Sequence, residues 1–156
     1  MKRKAWILLA VVGVALTAAS AAGAHQAIAQ QVWQADVRVQ AFDVTAARTA
    51  GPVSVRVAIT SDRDDDARAV RLEILLPVGV GILRLAEECR ASPSVVSALT
   101  ARVSCLLGDV PVGGLREVRL LTTGVATGMQ NRFTVFVTSD TPDPDASNNY
   151  AERAVR

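Results

Sequence analysis

The chain ends in SDTPDPDASNNYAERAVR, Ser139 to Arg156, and the reading of this stretch decides the fold. Asp140, Asp143, Asp145, Asn148 and Asn149 are turn formers. Pro142 and Pro144 withhold two backbone N–H groups from any ladder and bias their neighbours toward extended backbone. Arg132 to Thr138 alternates before this turn, and an alternating segment follows the Asn pair. Strand, long turn, strand is the final hairpin of an antiparallel sandwich.

Working upstream, the same period of two recurs. Ala35 to Val44 sets Val37, Val39 and Ala41 against Arg38 and Gln40. Val53, Val55, Val57 and Ile59 oppose Ser54, Arg56, Ala58 and Thr60. After the charged loop SDRDDDA, Ala69 to Leu76 alternates again, closed by Pro77. One apolar and one polar face mark antiparallel strands with a wet surface. Val78 to Leu85 carries Gly79 and Gly81 and reads as a bent strand or crossover. Glu87 to Arg102 holds a Ser-Pro-Ser turn and, at Val95 to Leu99, a short helical turn. Val103 to Leu107 reads as a strand ended by Gly108-Asp109, with Gly113-Gly114 turning into Arg116 to Thr122. Gly124 to Gly128 leads to the Phe133, Val135, Val137 strand. The fold class is therefore all-β: an antiparallel β-sandwich of seven to eight strands, with a small closed barrel as the alternative.

The first residues stand outside that pattern. Lys2, Arg3 and Lys4 precede an apolar run from Trp6 to Leu16, then Ala- and Ser-rich sequence with small-residue sites at Ala22-Gly23-Ala24 and Ala27-Ile28-Ala29. This is the layout of a secretory signal peptide, cleaved after Ala24 or Ala29. An uncleaved anchor is the alternative, since Trp6 to Ala24 approaches the ~20 residues of a membrane span. The expected organisation is residues 1–29 as cleaved signal peptide, 30–36 as lead-in and 37–156 as the sandwich. Subtracting 29 from 156 leaves 127 residues, one ordinary domain, secreted or periplasmic and free of the membrane once cleaved. Losing those three cations takes the formal charge from +2 to −1, so the basic balance belongs to the targeting segment and argues against a nucleic-acid partner. Cys89 and Cys105 are the only cysteines, and an even pair in an exported chain predicts a disulfide.

Several motifs together resemble the immunoglobulin-like repeat of bacterial surface proteins known as domain of unknown function 11. They are Leu76-Pro77-Val78-Gly79-Val80, Val103-Ser104-Cys105-Leu106-Leu107-Gly108 with Gly113-Gly114, and the Asp-Pro turn Thr141 to Ser147 running into Asn148-Asn149. The resemblance covers about Val37 to Val155 and implies an immunoglobulin-like sandwich in an extracytoplasmic protein. That family has no assigned catalytic residues, so none are expected here. Its members are commonly tandem repeats, whereas this chain has one copy, which argues against a spacer role.

Chemistry-bearing residues are few. If the second and third strands join through Asp62, Asp64, Asp65 and Asp66, that loop shares one end of the sandwich with Asp140, Asp143 and Asp145. Converging carboxylates suit Ca²⁺, which takes six to eight oxygens, although Arg63 and Arg68 interleave with them and solvated turns have the same composition. Catalysis lacks a general base: every Lys lies in the basic start, and His25 sits at the signal boundary. Glu87 and Glu88 are adjacent and diverge in a strand. Phe133 is placed in the core, Phe136 on the opposite face, and Trp33 over an edge or a sugar. The function expected is binding, adhesion or scaffolding at the cell envelope without cofactor, through exposed edge strands to an unidentified envelope partner. The alternative is a Ca²⁺-stabilised adhesion module.

Overall fold

Val53, Val55, Val57 and Ile59 are buried while Ser54 is exposed, as the alternation requires, but Ala58 and Thr60, expected on the polar side, are buried as well. The same rule builds nine strands in a computed structural model that describes residues 33–46, 51–93, 101–124 and 132–155. They are β1 (Asp36–Ala46), β2 (Val53–Asp62), β3 (Ala67–Leu75), β4 (Ile82–Arg84), β5 (Cys89–Pro93), β6 (Ala101–Val110), β7 (Leu115–Thr122), β8 (Arg132–Thr138) and β9 (Tyr150–Ala154). One sheet has the order β1-β2-β7-β4 and the other β5-β6-β3-β8-β9, with every pairing antiparallel. Two separate sheets make this a sandwich rather than a closed barrel. Four strands lie in one layer and five in the other.

The core lies between the sheets. Val55, Val57, Ile59 and Val118 from one layer meet Leu72, Ile74, Val103, Phe133 and Val135 from the other, all essentially fully buried. Each such side chain removes enough apolar surface from water to favour folding by about 1.5–3 kcal/mol. The Asp-Pro stretch forms the expected final hairpin: β8 pairs with β9 from Phe136↔Tyr150 to Arg132↔Ala154. A single 3-10 turn, Ala146–Asn148, sits inside it, capped by the Asp145 side chain on the Ser147 N–H.

The strand map differs from the sequence expectation in four places. A register shift between Val39 and Ala41 adds a residue to β1, so the buried set moves from Val37 to Phe42 and Ala41 changes face. β6 does not stop at Gly108-Asp109 but continues to Val110, because Gly108 takes φ +70 at an irregular register that only glycine adopts without strain. Ser92 and Pro93 are strand rather than turn. The segment Val78 to Leu85 contributes only the three residues of β4. The described residues thus form nine strands rather than seven or eight. The expected helical turn at Val95 to Leu99 and the signal peptide at residues 1–29 lie outside the described residues.

Candidate functional site

The loops carrying the acidic residues meet at one end of the sandwich, as the topology predicts. The Thr141 hydroxyl, buried, donates to the Asp66 carbonyl at 3.0 Å and accepts from the Arg68 N–H at 3.1 Å. The Asp140 N–H donates to the Arg68 carbonyl, and the Ala35 N–H to the Pro142 carbonyl. The carboxylates themselves do something other than converge. Asp65 accepts from the Gln34 N–H and Asp66 from the Val112 N–H. Asp143 accepts from the Val37 N–H, the Asn149 amide and the Asp145 N–H. Asp62 pairs with Arg38 and Asp140 with Arg71. Asp145 binds Ser147, whose hydroxyl and then N–H hold its carboxyl below the usual range. Among the described residues no three acidic, histidine or cysteine side chains form a group able to hold a metal. Each carboxylate except Asp64 has a donor in the fold, so the acidic residues act mainly as acceptors for backbone that no strand pairs.

Beside this end, a groove of about 320 Å³ is lined by Trp33, Asp66, Arg68, Asp140, Thr141 and Pro142. Trp33 is 60% exposed, with the Arg68 guanidinium 5.9 Å from its ring centre. On the outer face of the second sheet, Phe136 and Tyr150 lie 5.1 Å apart at 49°. The Tyr150 hydroxyl and then the Arg132 guanidinium hold the Glu152 carboxyl below its usual range. Phe133 is fully buried, as expected, and Phe136 is exposed.

A larger groove, about 570 Å³, opens on the first sheet where β4 leaves it. Arg84, Leu85, Ala86 and Glu87 form one wall, and Glu117, Arg119 and Leu121 of β7 the other. A charge ladder runs from it across the sheet: Arg56 bridges Asp43 at 3.1 Å and Glu117 at 2.7 Å, and Arg119 meets the second oxygen of Glu117 at 2.5 Å. The Arg56 and then the Arg119 hydrogen bonds hold the Glu117 carboxyl below its usual range. Glu87 and Glu88 are both exposed, and only Glu87 reaches the groove. The sequence signal for this site was the alternating sign of Arg116-Glu117-Val118-Arg119; the missing half of β4, which opens the groove, had none.

The backbone at the sheet edges completes the picture. The Ser61 N–H donates to the Gly114 carbonyl, which makes that pair hydrogen-bonded and turns the backbone of Leu115, Glu117 and Arg119 away from β2. The Val137 N–H donates to the Asn149 carbonyl, so Tyr150, Glu152 and Ala154 turn their backbone away from β8. At the start of β1, the N–H groups of Ala35, just before the strand, and Val37 point outward and are capped by the closing turn. The β7 and β9 donors have no acceptor among the described residues.

The Cys89–Cys105 disulfide is formed, directly across the β5–β6 pairing. Among the described residues no helix is long and apolar enough to cross a membrane. No family model matches the chain, and no curated protein does. The resemblance drawn from the sequence therefore rests on its motifs alone. Solved structures that superpose include an inactive mutant of the GH20 exo-β-N-acetylglucosaminidase of Vibrio harveyi, at 8% identity and a TM-score of 0.38 over 80% of this chain and 17% of that one. A Pseudomonas fluorescens alkylpurine DNA glycosylase bound to DNA with an abasic-site analog gives 11% and 0.37 over 78% and 30%. AvmM, a macrocyclization catalyst of alchivemycin A biosynthesis, gives 11% and 0.36 over 78% and 86%. The chain spans less than a third of the first two. Scores this low carry no argument about activity. What stands is an all-β sandwich with a disulfide between two adjacent strands of one sheet.

Proposed function

We propose that this chain is an exported, non-enzymatic binding or scaffolding module of the bacterial cell envelope that engages its partner through unpaired sheet edges. The observation that carries this reading is the set of outward backbone donors on β7 and β9 that no strand among the described residues covers. An unpaired ladder accepts a strand from another chain, and main-chain hydrogen bonds then supply the affinity. The basic, apolar and small-residue order of residues 1–29 and the disulfide support an oxidising destination. A nucleophile needs a base in reach; among the described residues Ser147 with Asp145 is a turn cap whose acid is made a weaker base by the bond itself, and Thr134 meets Glu152 only at 3.5 Å, an acid that Tyr150 and Arg132 already hold below its usual range.

The test is photocrosslinking in envelope extract, with a photoreactive residue at Leu115 or Ala154 on edge strands and at Arg71 on the central β3. Adducts from the edge positions and none from Arg71 are the expected outcome. Adducts from Arg71 alone would contradict it.

A further inference from the structure

Trp33 is kept in the open by a backbone that is tied down. The Gln34 N–H donates to Asp65 at 2.9 Å and the Ala35 N–H to the Pro142 carbonyl at 3.1 Å, so the residues that follow the ring are fastened to both acidic loops. Tryptophan is highly buried on average, yet here 60% of it faces water.

Arg68 is set beside the ring by strained backbone. From Ala67↔Val110 to Val70↔Gly108, β3 advances three residues where β6 advances two, which inserts a bulge. Ala69 takes φ +48 there, a left-handed conformation that a Cβ disfavours, and the Asp109 carboxylate holds its N–H at 2.9 Å. The bulge gives both backbone groups of Arg68 to the closing turn: its N–H donates to the Thr141 hydroxyl and its carbonyl accepts from the Asp140 N–H. Backbone strain of this kind clusters at ligand clamps.

The groove these two residues share with Asp66, Asp140, Thr141 and Pro142 holds about 320 Å³, near the lower end of small-ligand sites and suited to one ring rather than an extended peptide. Its polar groups are only part used. Asp66 turns one oxygen to the Val112 N–H and Asp140 one to Arg71, and the second oxygen of each meets no donor among the described residues. The Arg68 guanidinium meets no carboxylate among the described residues. Counting Arg71, two carboxylates stand with two guanidinium groups, so the lining favours neither an anion nor a cation. A neutral ligand that both donates and accepts fits this set: hydroxyls donate to the carboxylate oxygens and accept from the guanidinium. The negative face of the indole attracts C–H groups. A polyproline segment has carbonyls but no N–H, and leaves both carboxylate oxygens unmatched. Phe136 and Tyr150 offer a second aromatic surface, but Glu152 beside them is already engaged by Tyr150 and Arg132. We propose that the Trp33–Arg68 groove binds one neutral pyranose unit of a glycan, the ring against the indole and its hydroxyls shared among Arg68, Asp66 and Asp140. This does not depend on the edge-binding reading.

The experiment follows the Trp33 indole N–H and the Arg68 and Thr141 amides by NMR in the purified protein. The probes are the methyl glycosides of glucose, galactose and mannose, those of glucuronic acid and glucosamine as charged counterparts, and acetyl-hexaproline-amide. At least one neutral glycoside should shift these signals saturably, with a dissociation constant on the order of 1 mM for a ligand of about 13 heavy atoms. Neither charged glycoside should bind as tightly. Trp33→Ala should abolish the response at the two amides. Arg68→Gln and Asp66→Asn should each weaken binding on the order of fivefold while leaving the urea midpoint in place, since the first keeps the backbone bonds of residue 68 and the second keeps an acceptor for Val112. No saturable shift with any neutral glycoside, equal binding of a charged one, or a response to the proline peptide alone overturns the proposal. So does binding that survives Trp33→Ala, or a concentration-dependent shift in the free protein that marks a second copy in the groove.

Discussion

At the scale of single residues, the acidic side chains are set apart by what they accept. Asp143 satisfies the Val37 N–H, the Asn149 amide and the Asp145 N–H, whereas Asp64 has no partner among the described residues. Hydrogen bonds to a charged group contribute about 1.5–3 kcal/mol, and a donor left without its acceptor adds a penalty. Asp143→Ala should therefore lower the urea unfolding free energy by about 2 kcal/mol, and Asp64→Ala should change it by less than about 0.5 kcal/mol. Equal effects would mean the closing turn is held some other way. Sequence reasoning placed both residues in turns for the right reason, their turn chemistry, but the donors they serve are backbone groups that leave no mark in a side-chain pattern. Titration follows the same logic. The Arg56 bond holds Glu117, and Tyr150 and Arg132 hold Glu152, below the ordinary glutamate value of about 4.3. The folded state thus favours their charged forms, so their contribution is present above that value and is lost as pH falls through the depressed folded one. Urea melts between pH 7 and pH 3 should show stability falling on the acid side, and Glu117→Gln should flatten part of that fall. A variant whose acid limb matches the parent would separate Glu117 from it.

At the scale of elements, the disulfide joins the short edge strand β5 to β6 through directly opposed residues, Cys89 and Cys105. Their separation of 16 gives about 3 kcal/mol in the loop-entropy account. Five residues ending in a proline would otherwise hold that edge by few ladder bonds. The Cys89→Ala, Cys105→Ala double variant should lose about 3 kcal/mol. It should also speed amide exchange at Leu106, which donates to the Glu88 carbonyl, more than at Val57 in the centre of β2. Uniform acceleration across both would show that the bond stabilises the whole sandwich and not this edge. Elements were the most legible part of the chain. β3, β7 and β8 follow their alternation because each has one wet face, and β2 follows it only as far as Val57, since Ala58 and Thr60 are buried along with Ile59. β1 and β6 departed from theirs at Gln40 and Gly108, since one inserted residue exchanges the two faces while composition stays the same. The brevity of β4 was illegible for a related reason: Ile82, Leu83 and Leu85 are apolar enough for a full strand, and only the crossover toward β5 ends it.

At the scale of the molecule, topology carried more information than any motif. Reading the acidic loop after β2 and the final hairpin turn as neighbours required only the order of strands in a sandwich, and the buried Thr141 bonded to Asp66 and Arg68 joins them. Their purpose was less legible, because a cluster of carboxylates has the same composition whether it awaits a cation or caps a fold. The distribution of partners favours the second in physical terms. A Ca²⁺ ion needs six to eight oxygens aimed at one point. Here Asp65, Asp66 and Asp143 are turned toward backbone N–H groups, and Asp62 and Asp140 toward arginines. Gathering them around an ion would release donors at five places, each at a cost of about 1–3 kcal/mol where the site is shielded from water. Millimolar Ca²⁺ should accordingly leave the unfolding temperature within about 1 °C of its value in EDTA, since one site filled to a hundred times its dissociation constant adds about 2.7 kcal/mol and shifts it by several degrees. A shift of that size, abolished by Asp143→Asn, would show that the closing turn rearranges to bind the ion, and would make the acidic end of the sandwich its ligand site.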